Sequence, residues 1–247
     1  MTIDSDEDLH GLTRVGQVVA EARDAMLKAA VPGTSTAELD AVARDILRRH
    51  GARSAPQLAY RFPGWTCVSL NDAIAHGVPS HRDVLRSGDV VNVDVSAELD
   101  GYWADTGASA AVGEVPSGTR DLLDATRGAR ADGMAAAVAG RPLRHIGRAI
   151  ERRARRCGFG IIRMLSGHGV GRWIHEEPSV PNVEVLSDRT VLWEGLVIAI
   201  EPFLCTGAPW VAEDSDGWTL RTPDRSLAAQ FEHTVVVTRG KPLILTG

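Results

Sequence analysis

A helix, turn and helix pattern that occurs twice constrains the fold of this chain more than any other feature of its sequence. In the first copy, Leu12, Val15, Val19, Ala22 and Met26 recur at three- and four-residue spacing, which predicts an amphipathic helix over residues 9–30. Pro32 and Gly33 stop it. Ser35 followed by Glu38 makes a capping box, and Leu39, Val42, Ile46 and Leu47 form the buried stripe of a second helix that ends at Gly51. A shift of 107 positions brings the pattern back: Val138 and Gly140 stand for Val31 and Gly33, Ile146 and Ile150 for Leu39 and Ala43, and Gly158 for Gly51. A helix over residues 119–138 precedes this second copy. The matches are few and mostly Gly or aliphatic, so an old duplication competes with a chance likeness between two amphipathic helices.

Short β-branched or aromatic runs at residues 90–95, 102–111, 161–165, 197–200 and 231–237 read as strands. Two helix pairs and many strands without helical crossovers predict an α+β fold. No Pro/Gly/Ser-rich linker separates the halves, so one domain over residues 1–247 is expected, with residues 1–8 as a flexible N-terminus.

Composition excludes several function classes. Apolar residues at 44% and charged residues at 24% are ordinary for a globular protein. A net charge of −5 gives no reason to expect DNA as a partner. The run Arg152, Arg153, Arg155 and Arg156 reads as a solvated helix face, with a dock for an acidic or RNA surface as the alternative. Cys67, Cys157 and Cys205 are too few and too widely spaced for a disulfide framework, which fits a reducing, cytoplasmic compartment. The acidic start and the absence of a long apolar run predict neither export nor a membrane span.

The chemistry lies in acidic residues placed inside strand sequence. Along residues 89–95, Val91, Val93 and Val95 share one face and leave Asn92 and Asp94 on the other. If a hairpin closes near Asp100 and Gly101, Asp105 falls opposite Asp94 or one diagonal pair away. Two carboxylates on one face repel, and in a partly buried site one must protonate unless a cation lies between them. Asp105 as a turn cap with Asp94 at the surface is the alternative for this pair alone. Glu201 ends an apolar strand and Glu232 lies within another, where an unpaired charge would cost several kcal/mol. His168, flanked by glycines in SGHGVG, is the fifth candidate. One imidazole and four carboxylates suit Mn, Fe, Co or Zn. Four carboxylates exceed the need of one dication, so two ions about 3.5–4 Å apart are expected. His76 and His175 stand beside turn residues, where groups that act on substrate are often placed. His10, His50, His81, His145 and His233 are assigned to surface or packing.

Taken together, NVDV at Asp94, ADTG at Asp105, SGHGVG at His168, HEEP at His175, IEP at Glu201 and QFEHT at Glu232 resemble the methionine aminopeptidases of the pita-bread peptidase fold, in their type I bacterial form. The likeness covers nearly the whole chain. It implies halves related by a pseudo-twofold axis. It also implies that Asp105 and Glu232 bridge two metals, that Asp94 completes one site, and that His168 with Glu201 completes the other. A metal-activated water would be the nucleophile, with Glu201 shuttling its proton, His175 steadying the scissile carbonyl and His76 contacting the amide side of the bond. Phe62, Cys67 and Trp218 match the family's methionine pocket, with Tyr60 a neighbour of uncertain register. Ala59 and Ile174 depart from it, standing where aromatic residues are expected. The implied substrate is the N-terminus of a nascent or new protein, met by a monomer, with transient ribosome association through the arginine run. An Xaa-Pro peptidase of the prolidase or aminopeptidase P type is the nearest rival, and those relatives usually carry a further N-terminal domain. A non-catalytic binding module is the second rival, and such modules typically lose metal ligands.

Overall fold

The computed structural model describes residues 1–247. Its helices are α1 (Asp6–Ala29), α2 (Thr36–Arg49), α3 (Ala55–Tyr60), α4 (Ser117–Ala136) and α5 (Arg144–Cys157). The capping box at the head of α2 is complete: Glu38 N–H donates to Ser35 Oγ at 3.3 Å, and Ser35 N–H donates to Glu38 Oε2 at 2.8 Å. Two of the four orphan donors that any helix start exposes are thereby satisfied. At the other copy, α5 stops at Gly158, whose φ of 79° is a left-handed turn that glycine adopts without a side-chain penalty.

Each helix pair covers one sheet. The Val90–Leu99 and Tyr102–Ala111 strands form an antiparallel hairpin, and Cys67–Leu70 pairs on the other side of Val90–Leu99. Val91, Val93 and Val95 turn outward from this sheet into a core shared with Leu12, Val15 and Val19 of α1 and Leu39 of α2. In the second half, Val197–Ile200 runs between Ser166–Gly169 and His233–Val236. Ile198, Ile200, Val235 and Val237 pack there against Leu122 of α4 and Ile146 and Ile150 of α5. The structure thus contains two helix-covered sheets whose uncovered faces are free to meet.

They meet through backbone. Glu232 N–H donates to Gly107 C=O at 2.8 Å, Thr106 Oγ1 donates to Glu232 C=O at 3.1 Å, and Thr234 Oγ1 donates to Asp105 C=O at 2.8 Å. This explains why the strand expected over residues 231–237 is broken. Ala228–Gln230 pairs with Phe203–Cys205, whereas His233–Val236 pairs with Val197–Ile200. Between them, Phe231 and Glu232 leave one partner for the other and bond to the hairpin instead. The strand expected over residues 161–165 likewise reduces to Gly160–Ile161, followed by Ser166–Gly169.

The first eight residues, expected to be flexible, carry contacts along their length. Ile3 N–H donates to Gly195 C=O, Val197 N–H donates to Met1 C=O, and buried Asp8 accepts from Arg172 at 2.6 Å and from the Tyr102 hydroxyl at 3.2 Å. In the arginine run, Arg153 pairs with Asp132 of α4 at 2.8 Å and Arg155 with Glu151 at 2.7 Å, so half of its charge is already engaged. No helix is long and apolar enough to cross a membrane.

The packing of α1 depends on a missing side chain. A Cβ added at Gly16 would lie 2.4 Å from the backbone oxygen of Leu245. Gly16→Ala must therefore push α1 and the C-terminal segment apart, at about 1–3 kcal/mol of stability. In urea unfolding the midpoint should fall with an unchanged slope, and an unaltered midpoint would show that the contact bears no weight.

Candidate metal centre

The hairpin register places Asp94 opposite Gly107, and Asp105 opposite Ser96. Asp105 is therefore one diagonal pair from Asp94, the second of the two arrangements that the sequence allows. Glycine at 107 leaves room for the Gln230 amide, which a Cβ there would meet at 2.2 Å. On the other side of the Val90–Leu99 strand, Cys67 stands opposite Asp94 on the same face of the sheet. Glu201 enters from the end of Val197–Ile200, Glu232 from the crossing segment, and His168 from Ser166–Gly169. Asp105, His168 and Glu232 are buried and offer ligand atoms that all lie within 4.8 Å of one another. His168 Nε2 lies 3.5 Å from Glu201 Oε1 and 3.8 Å from Asp105 Oδ2. Asp94 lies close enough to Asp105 for the two carboxyls to influence each other's ionisation. All five sequence candidates thus converge on one space.

Electrostatics make this convergence costly. Burial pushes the Asp94 carboxyl up to about 6. Burial first, and neighbouring carboxylates second, push Asp105, Glu201 and Glu232 well above the usual carboxylate range. His168 does not relieve them. Its Nδ1 lies 2.9 Å from Gly169 C=O, which can only accept, so Nδ1 carries the proton and Nε2 presents a lone pair. Burial holds the ring neutral, with its pKa down at about 3. A bare lone pair facing two carboxylates is repulsive unless a cation lies among them.

The orphaned atoms fit that cation. Asp105 Oδ1 and Glu232 Oε1 are buried and accept no hydrogen bond, although buried acceptors in folded proteins are ordinarily satisfied. The second oxygen of Glu232 accepts from Gln230 Nε2 at 3.0 Å, and Gln230 Oε1 in turn accepts from Asn92 Nδ2 at 2.8 Å. Glu232 is thereby held with one oxygen tied and the other free. An oxygen-rich set with one imidazole, oriented by outer hydrogen bonds, is the chemistry of a divalent cation site.

A cavity of about 370 Å³ opens onto these carboxylates. Tyr60, Phe62, Cys67, His76, His175 and Trp218 all line it. Phe62 and Trp218 meet edge to face at 5.2 Å, so neither is simply a piece of remote core. His175 stacks edge-on against His168 at 4.3 Å, and its Nδ1 is hydrogen-bonded to the Tyr60 hydroxyl. Burial lowers the pKa of His175 and of His76, which keeps both rings neutral near pH 7. Of the two departures, Ile174 lines the cavity, whereas Ala59 packs against the α1 core and leaves the wall to Tyr60.

Sequence reasoning missed Gln230 and Phe203. Both were within reach, because each lies two residues from a candidate carboxylate in strand sequence, and alternation puts such residues on a shared face. The contact of Tyr60 with His175 spans 115 positions and had no local signal.

Comparison with known proteins gives the family and the fold. The sequence pattern of metallopeptidase family M24 matches residues 10–239. Methionine aminopeptidase 2 of Bacillus subtilis is 44% identical over all of this chain and 99% of its own length. Methionine aminopeptidase of Aquifex aeolicus is 38% identical over 98% of this chain and 97% of its own length. Among solved structures, the methionine aminopeptidase of Thermotoga maritima superimposes with a TM-score of 0.96 at 32% identity, covering 100% of this chain and 99% of that one. The prolidase of Pyrococcus furiosus, at 23% identity and a TM-score of 0.79, covers 100% of this chain but is itself covered over 65%; it shares the fold. The α+β architecture is the pita-bread fold of these structures.

Two outcomes follow from the geometry. In chelator-treated protein, the raised carboxyls keep protons that the unfolded chain releases from about pH 4. The native state is therefore favoured below that pH and loses stability as pH rises through about 6, the Asp94 value. Compared with Asp94→Asn, the metal-free wild type should lose melting temperature across this window, and Mn²⁺ should restore it; parallel melting profiles would refute the assignment. Gln230→Ala, which frees Glu232 to turn, should weaken divalent-cation affinity about 10–100-fold in a chelator competition, and unchanged affinity would remove Gln230 from the support of the site.

Proposed function

The chain belongs to metallopeptidase family M24, and on that premise we propose that it removes the N-terminal methionine from nascent or newly made proteins at a pair of divalent cations. Asp94, Asp105, His168, Glu201 and Glu232 hold the pair. Asp105 and Glu232 would serve both ions, Asp94 would serve one of them, and His168 with Glu201 would serve the other. The observation that carries this reading is the pair of orphaned oxygens, Asp105 Oδ1 and Glu232 Oε1, buried at the centre of the carboxylate cluster. The donor set accommodates Mn, Fe, Co or Zn. When bound, such ions acidify a water molecule and polarise a carbonyl.

The remaining work falls to side chains. The methionine side chain enters between Phe62, Cys67 and Trp218, which places the scissile amide beside the carboxylates. Glu201 takes the proton lost by the attacking water and returns it to the departing amine. In the tautomer whose Nδ1 accepts from the Tyr60 hydroxyl, the Nε2–H of this neutral ring donates to the carbonyl oxygen as negative charge develops there. His76 contacts the amide side of the same bond from across the cavity. Ile174, in place of an aromatic residue, makes the wall less confining for the side chain. The proposal extends to a cytoplasmic monomer that meets its substrates at or soon after synthesis, with transient ribosome association.

Asp105→Ala should abolish metal-dependent cleavage of Met-Ala-Ser by at least about a thousandfold while leaving the circular dichroism spectrum unchanged. Full turnover in that variant would contradict the site. Assayed with added Mn²⁺ or Co²⁺, the wild type should cleave Met-Ala-Ser faster than an Xaa-Pro peptide, and the reverse order would transfer the protein to the prolidase activity.

A further inference from the structure

Glu232 faces the carboxylate cluster, but its neighbours Phe231 and His233 face a separate cleft of about 620 Å³ between α1, α4 and the end of the Tyr102–Ala111 strand. Four arginines line it: Arg23 from α1, and Arg120, Arg127 and Arg130 from α4. Three have carboxylate partners. Arg23 pairs with Asp24 at 2.8 Å, Arg127 with Asp124 at 2.7 Å, and Arg120 with Glu114 at 3.3 Å. Arg130 is left over, and its buried Nε donates to nothing. Arg127 and Arg130 both lie over the Phe231 ring, at 4.9 Å and 5.8 Å from its centre, which fixes the two guanidinium groups as neighbours. Burial, and after it the charges of Arg23 and Arg127, hold the Arg130 pKa down at about 10, so Arg130 remains a cation at neutral pH.

The imbalance mirrors that of the metal centre with the sign reversed. Like charges gathered in a partly buried space need a counterion. We propose that this cleft binds a phosphate dianion, free or as the ester of a small molecule, seated between Arg130 and Arg127. Against Asp24, Asp124 and Glu114, the partner of Arg120, the four arginines leave one positive charge, that of Arg130. A phosphate dianion can neutralise Arg130 and draw on Arg127 as well, whose pair with exposed Asp124 is weak, whereas a single carboxylate neutralises Arg130 alone. Its several oxygens also suit the paired donors of adjacent guanidinium forks. The cleft exceeds a bare anion in size, and Leu27, Ala111 and Leu123 give it an apolar wall for an organic substituent.

Isothermal titration of inorganic phosphate into the full-length protein, at constant ionic strength with chloride as the balancing anion, tests the assignment. Saturable binding is expected, with Arg130→Met and Arg127→Met each weakening it about tenfold or more. Arg127 is exposed, so its replacement keeps the test decisive even if Arg130→Met folds poorly. Asp105→Ala should leave the binding intact, because the cleft does not include the carboxylate cluster. A nucleoside monophosphate that binds more tightly than inorganic phosphate assigns the cleft to an ester, and equal or weaker binding assigns it to the free ion. Absence of saturable binding, insensitivity to both arginine substitutions, or loss of the signal in Asp105→Ala would each overturn the proposal, the last by locating the phosphate at the metal centre.

Discussion

Mutual repulsion among Asp94, Asp105, Glu201 and Glu232 governs this protein. Each of these carboxyls is removed from water, and each raises the cost of ionising another. Ion pairing with the protein's own cations does not compensate, since the one imidazole among them is neutral and presents a lone pair. Such a cluster is tolerable in two forms, protonated or filled by divalent cations. A fold that maintains it at neutral pH has accepted a local loss of stability that cation binding reverses. The same free energy is then available to hold the ions where hydrolysis needs them.

Holding four repelling groups in place requires a frame that cannot relax. The hairpin supplies one part, with Val91, Val93 and Val95 buried against α1 and α2 so that Asp94 must face the other way. The crossing segment supplies another. Glu232 is bound to Gly107 and Thr106 through its backbone and to Gln230 through its side chain. Rotating the Glu232 side chain would break its bond to Gln230, and shifting its backbone would break the bonds to Gly107 and Thr106, each unsatisfied buried group costing about 1–3 kcal/mol. The substrate wall follows the same logic: Phe62 and Trp218 brace each other, and Tyr60 fixes the orientation of His175.

The crossing segment also links two opposite electrostatic environments. Alternation along residues 231–233 sends Glu232 toward the carboxylates and Phe231 and His233 toward the arginines. Arg130 is close enough for its charge to oppose the rise in the Glu232 pKa. The positive cleft thus eases the burial of the negative cluster, and each environment lessens the electrostatic cost of the other across the crossing segment.

The sequence determined the elements and the identity of the charged groups. Local rules suffice for these: the capping box of α2, the glycine stop of α5, the alternation that separates Asp94 from its valine neighbours, and the improbability of an unpaired Glu at 201 or 232. Even the hairpin register was limited to two arrangements, because a turn at Asp100 and Gly101 leaves little freedom. Tertiary structure alone decided which arrangement holds, that the last strand breaks at Phe231 and Glu232 to join both sheets, that Gln230 ties down one oxygen of Glu232, and that Arg23 meets Arg127 and Arg130 beside Phe231. These outcomes pair residues far apart in the chain. No local periodicity encodes them, because which distant groups meet is set by how two helix-covered sheets close on each other and by the backbone groups that must find partners when they do.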